Sequence, residues 1–138
     1  MKKLLLLVIA LFVALVTLLA FNTDNNQQIR IDQATTPEQL ATALLYGGKS
    51  QVTFDHGVLL INRTVDAILT ASTAVSGFNL IIARVVPAVF AKFPQVQSIV
   101  FRESGPFRDI KGNDSTDEML RIAFTREESD HIHWDKIN

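Results

Sequence analysis

Two histidines one residue apart, His131 and His133, stand between Asp130 and Asp135 near the end of the chain. In an extended segment, residues two apart point to the same side. Both imidazoles would then reach one zinc ion, with a neighbouring carboxylate as third ligand. His56 is the only other histidine. A second group of oxygen donors, Asp109, Asn113, Asp114 and Asp117, surrounds Gly112. Such donors suit calcium, but their spacing departs from the twelve-residue calcium loop, and a turn between strands uses the same residue types. Metal binding through His131 and His133 is therefore the enzymatic or metal-dependent alternative, set against solvated side chains on a polar chain end.

Other chemistries are poorly supplied. There is no cysteine and no Gly-x-Ser-x-Gly nucleophile turn. Gly47-Gly48-Lys49-Ser50 matches the end of a phosphate-binding loop but lacks its first glycine and preceding strand; a helix end accounts for it. Glu127 and Glu128 follow Thr125-Arg126, which is the pattern of a helix-capping box rather than an acid pair. No catalytic set or cofactor motif emerges.

The elements that must position these residues start from Leu4–Phe21, an apolar run broken only by Thr17 and preceded by Lys2 and Lys3. As a helix it would be about 27 Å long, close to the hydrocarbon thickness of a bilayer. It reads as a signal anchor over residues 1–21, or as a signal peptide cut near Ala20, where Leu18 occupies a place that prefers a small residue. The lysines put the remainder outside the cytoplasm, on a single-pass membrane protein or, if cut, as a secreted one. Without Lys2 and Lys3, 11 basic residues face 14 acidic ones, a net of −3, which disfavours a nucleic-acid partner. Outside the cytoplasm a cysteine-free domain holds its fold by its core alone.

Residues 22–35 are Asn/Gln-rich and read as a hydrated tether, with a short strand at Ile29–Ile31. The domain proper spans 36–138. Thr36-Pro37-Glu38-Gln39 opens a short helix that Gly47-Gly48 ends. Val52–Phe54 and Val58–Ile61 form a hairpin over a three-residue turn, Asp55-His56-Gly57. A long helix capped by Asn62 or Thr64 runs from Val65 to Phe93, kinked or divided by Pro87 near Val86. It is apolar on most sides over 78–90, which would also suit an assembly surface, and Arg84 alone breaks its pattern. A charge there calls for a carboxylate of the sheet or a partner contact. Strands at Val96–Glu103 and Glu118–Thr125 follow, parted by a break at Ser104-Gly105-Pro106 and a polar loop, and a capped short helix closes the chain. The order α-β-β-α-β-β-α implies an α+β domain: a small antiparallel sheet packed against one long helix.

The C-terminal third, with Phe107-Arg108-Asp109, Gly112-Asn113, Thr125-Arg126-Glu127 and Ile132-x-Trp134, resembles small exported or lipoprotein-type bacterial envelope domains, without the lipid-bearing cysteine of lipoproteins. That resemblance implies an envelope location and a compact α+β domain; it brings no activity. The expected role is a membrane-anchored binding or scaffold module that contacts another envelope protein or further copies of itself.

Overall fold

A computed structural model describes residues 26–66 and 71–137. The apolar run Leu4–Phe21 lies outside the described residues. The chain divides into two units, Met1–Gln33 and Ala34–Asn138. In the first, residues 26–33 are helical (α1), so Ile29–Ile31 is not a strand. Gln28 donates to Asp32 one turn on, at 2.9 Å, a pair that helical spacing brings together and an extended chain would not.

The second unit is α+β, in the order α2 (Pro37–Leu44), β1 (Lys49–Asp55), β2 (Val58–Thr64), α3 (Ala71–Lys92), β3 (Ser98–Arg108), β4 (Asp114–Thr125), α4 (Arg126–Asp130) and a closing 3-10 turn, Trp134–Lys136. Strand order in the sheet is β1-β2-β3-β4. The sheet is mixed rather than antiparallel: β1 and β4 run antiparallel to their neighbours, while β2 and β3 are parallel, Val58 opposite Ser98 through Thr64 opposite Ser104. The cause is α3. The chain leaves β2, returns along the helix and re-enters the sheet beside β2, and a strand-helix-strand connection between neighbours makes a parallel pair.

The core lies between α3 and one face of the sheet. Leu59, Ile61, Ile99 and Phe101 from the strands meet Ile81, Ile82, Val85, Val86 and Val89 from the helix, all at most 4% exposed. Phe78 meets Phe101 edge to face at 6.1 Å. Each such side chain, fully buried, is worth about 1.5–3 kcal/mol. α2 adds Leu40, Ala41, Ala43 and Leu44 to the same core, capped at Thr36 as its sequence implies.

Several boundaries differ from the sequence expectation. The β1–β2 turn has two residues, His56 and Gly57, both with positive φ (46° and 82°), because Asp55 pairs with Val58. β2 runs on to Thr64, so Asn62 and Thr64 are strand residues, not caps. α3 continues through Pro87 and is not divided there. β3 does not break at Ser104-Gly105-Pro106. Its register with β4 shifts there instead, Glu103 facing Leu120 and Ser104 facing Glu118, which leaves Met119 as an extra residue. The β2 ladder ends at Thr64 and Ser104, so beyond it Gly105–Arg108 and Asp114–Asp117 continue as a two-stranded arm. Phe107 and Ile110 on this arm are 54% and 104% exposed.

Arg126 joins the last helix to the core. Its guanidinium donates to the carbonyls of Phe90 (2.7 Å), Phe93 (2.9 Å) and Val96 (2.8 Å), and lies 4.8 Å from the Phe90 ring centroid. A cation at the negative end of α3, serving the last-turn carbonyl of Phe90 and the carbonyls of Phe93 and Val96 just beyond the helix, is doubly favourable. Arg126→Ala should lower stability by about 2 kcal/mol, and Arg126→Lys should recover less than half of that, because one ammonium cannot serve three fixed carbonyls. Urea unfolding of the three proteins checks this.

Candidate functional site

The histidine pair does not lie on extended backbone. α4 ends at His131, whose φ and ψ of −95° and −4° are helical, and His133 stands before the 3-10 turn with φ −81° and ψ 81°. His131 Nδ1 lies 2.7 Å from the Glu127 carbonyl oxygen. Both rings are exposed. Among the described residues no three His, Asp or Glu side chains are placed to hold one metal ion. His131 lines a shallow open groove of about 520 Å³ with Ala123, Phe124, Glu127, Glu128 and Ile132. The groove is shaped by structural bonds. Thr125 and Glu128 form the expected capping box, and Trp134 donates to the Ser129 carbonyl at 3.0 Å while its ring meets Phe124 at 5.5 Å.

The acidic loop is a hairpin loop. Asp109 Oδ1 accepts the backbone N–H groups of Lys111 (2.8 Å) and Asn113 (2.9 Å), and Oδ2 accepts the Asn113 amide at 2.8 Å. These bonds, the Asn113 side chain foremost, hold the Asp109 carboxyl below its ordinary pKa. Asp114 takes the Arg108 guanidinium at 2.6 and 3.0 Å, and Asp117 accepts from the Ser115 hydroxyl at 2.6 Å. The carboxylates are thus engaged in closing the turn and pairing across its base.

Gly47-Gly48 is followed by a strand, not by the helix N-terminus that a phosphate cradle needs. Gly48, at φ 76°, passes so close to β2 that a Cβ would stand 2.5 Å from the Thr64 carbonyl oxygen. Arg84 faces solvent from α3 and makes no ion pair among the described residues, so it does not pair with a carboxylate of the sheet. It shares that exposed side with Leu80, 48% accessible. α3 is also long and apolar enough to cross a membrane (Ser72–Lys92, mean hydropathy 1.8), yet its buried stripe is packed on the sheet.

Two features were not singled out in the sequence. The first is an ion pair between register partners on the core face, Arg63 of β2 and Glu103 of β3. Glu103 is 2% exposed. The remaining Arg63 nitrogens donate to the carbonyls of Gly47 (3.0 Å) and Tyr46 (3.1 Å), which ties the α2–β1 connection to the sheet. The second is the opposite face of the sheet. Lys49, Gln51, Thr53, Leu60, Asn62, Val100, Arg102, Arg121 and Ala123 all lie on it, and none is buried. Its central rows read directly off the register: Gln51, Asn62, Arg102 and Arg121 across the four strands, then Thr53, Leu60, Val100 and Ala123 beside them. Strand alternation hinted at this face, but only the pairing shows which side chains share a row.

Comparisons with protein-family models, with curated proteins and with solved structures found no match.

Arg63→Ala should cost about 3–5 kcal/mol, because it strands the buried Glu103 carboxylate, whereas the double change Arg63→Met with Glu103→Leu should cost less than either single change. A denaturant-unfolding double-mutant cycle measures both. The pH dependence follows from Asp109, Asp114, Glu118 and Glu128, each held below its ordinary pKa by hydrogen bonds made in the fold. A lowered folded pKa adds stability above the unfolded value, and that stability is lost as pH falls through the folded value. The melting temperature should therefore be level down to about pH 5 and fall below about pH 4, with a shallower fall in Asp109→Asn. Thermal melts from pH 7 to pH 2 followed by circular dichroism check it.

Proposed function

We propose that this chain is a binding or scaffold module of a bacterial envelope, held in the membrane by Leu4–Phe21 with residues 36–138 outside, and that it works by contact with another envelope protein. The observation that carries this reading is the face of the four-stranded sheet that no described helix of this unit covers, where partly exposed Leu60 and Val100 lie in the centre beside Arg102 and Arg121. A sheet ordinarily buries one face and presents polar groups on the other. Here a Leu-Val pair occupies the middle of the open side, and apolar groups ringed by polar ones suit a protein contact. The apolar run and the two lysines before it support the membrane address. Arg84 and Leu80 on the exposed side of α3 offer a smaller surface for further copies of the chain.

The reading predicts that a photo-crosslinking amino acid at Thr53 or Ala123, on the open face, gives a discrete adduct with a second protein in native membranes, while one at Ser76 on α3 gives adducts with further copies of this chain at most. Adducts only between copies of this chain would make it a self-assembling scaffold. No adduct at the two face positions, together with stoichiometric metal that is lost on His133→Ala, would replace it with the metal-dependent alternative.

A further inference from the structure

The open sheet face is divided by chemistry. One half holds Thr53, Leu60, Val100 and Ala123 in a row, with Val58 beyond, 39% exposed. The other half holds the row of Gln51, Asn62, Arg102 and Arg121, followed by Lys49, Thr64, Ser104 and Glu118. Three cations therefore stand on these two rows against one carboxylate, Glu118; of the other acids on this side, Asp114 is taken by Arg108 out on the arm and Asp55 lies at the far turn beside His56.

Within this half the charges are not balanced. Arg102 and Arg121 are direct cross-strand partners, a like-charge pair that a sheet does not favour. Glu118 cannot serve both. It takes Arg121 at 2.8 and 3.0 Å, and its nearer oxygen is 3.9 Å from Arg102 Nε, beyond hydrogen-bond reach. Arg102 Nε is shielded from solvent and has no hydrogen-bond partner among the described residues. A donor out of water without an acceptor is unfavourable unless something supplies one. The backbone here is central strand, so Arg102 is held in place on the face rather than carried on a loop.

We propose that this face receives an extended acidic segment of the partner protein, with one or two carboxylates over Arg102 and Arg121 and apolar side chains over Leu60 and Val100. The proposal rests on the binding-module reading above and adds the chemistry of what is bound. A guanidinium pair gives a carboxylate charge-assisted hydrogen bonds, and Asn62 and Gln51 continue the donor row toward β1. The adjoining apolar row sits one strand-repeat away, where alternate residues of an extended segment fall. A lipid headgroup layer fits less well, since it prefers an unbroken basic cluster and meets Glu118 and Asp55 here.

The test uses the full chain in neutral detergent and two short extended peptides, one with two glutamates set between leucines and one with lysines in their place. Amide chemical shifts are followed for each. The acidic peptide should shift the amides around Asn62, Leu60, Arg102 and Arg121, and its affinity should fall at least tenfold in Arg102→Gln and in Arg121→Gln. Lys49→Gln, at the exposed edge, gives the same reading with a smaller loss should Arg102→Gln fail to fold. Equal binding of the lysine peptide, unchanged affinity in the arginine variants, or shifts that arise only with phosphatidylglycerol vesicles would overturn the proposal. Failure here with face-specific crosslinks intact removes the acidic segment alone. Failure of both removes the binding module.

Discussion

The packing of one apolar helix stripe against one sheet face fixes the rest of this domain. α3 connects β2 to β3 and must lie across the sheet between them, so the two central strands are parallel and their inner side chains are sealed under Ile81, Val85, Val86 and Val89. The hairpins then add one antiparallel strand at each side. The described helices of this unit gather on the covered side: α2 meets both β1 and α3, and α4 meets the end of α3. A single apolar stripe covers a single face. The opposite face is left with its central Leu60 and Val100 in view, and every functional argument about this chain begins from that asymmetry.

Each end of the core is closed by an arginine. At the end where α3 finishes, Arg126 takes three main-chain carbonyls. At the end where β2 finishes, Arg63 takes two carbonyls and the buried Glu103 carboxylate. Helix ends and loop entries leave acceptors without partners, and a buried acceptor without a donor is costly. A guanidinium has five donors in a rigid plane and satisfies several such groups at once. Both arginines are thus occupied with the fold. Arg102, on the open face, has the same chemistry, and its Nε finds no hydrogen-bond acceptor among the described residues.

Much of the architecture was legible because local signals agreed. Thr36-Pro37 and Thr125-Arg126-Glu127-Glu128 cap the helices they announce, and the 3.6-residue spacing of Phe78, Ile82, Val85 and Val89 marks the buried stripe. The parallel pair was implicit in a β-α-β order, but four strands and one helix also allow an antiparallel arrangement, and the sequence order alone did not decide it. Ser104-Gly105-Pro106 read as a break because a glycine and a proline usually end a strand. They continue one here because the arm is two-stranded, and a proline is tolerated where only one side needs donors. His56 concealed a two-residue turn, since few residues other than glycine adopt positive φ, even though histidine is one of those that do so more readily. The candidate site was harder to see. His131-x-His133 drew notice by residue type, while the Gln51-Asn62-Arg102-Arg121 row exists only through strand register and leaves no local pattern.

The central claim is that one face of the sheet is sealed and the other open, and neighbouring residues of β3 report the two sides. The chain has no cysteine of its own, so single replacements can be read without interference. Ile99 is 0% exposed on the covered side, whereas Val100 is partly exposed on the other. The most direct measurement is the rate of thiol labelling in the folded full chain for Val100→Cys and Ile99→Cys. The account predicts ready labelling at position 100 and protection at position 99 until the domain unfolds. Equal protection at both positions would mean that the second face is covered too, and would contradict it.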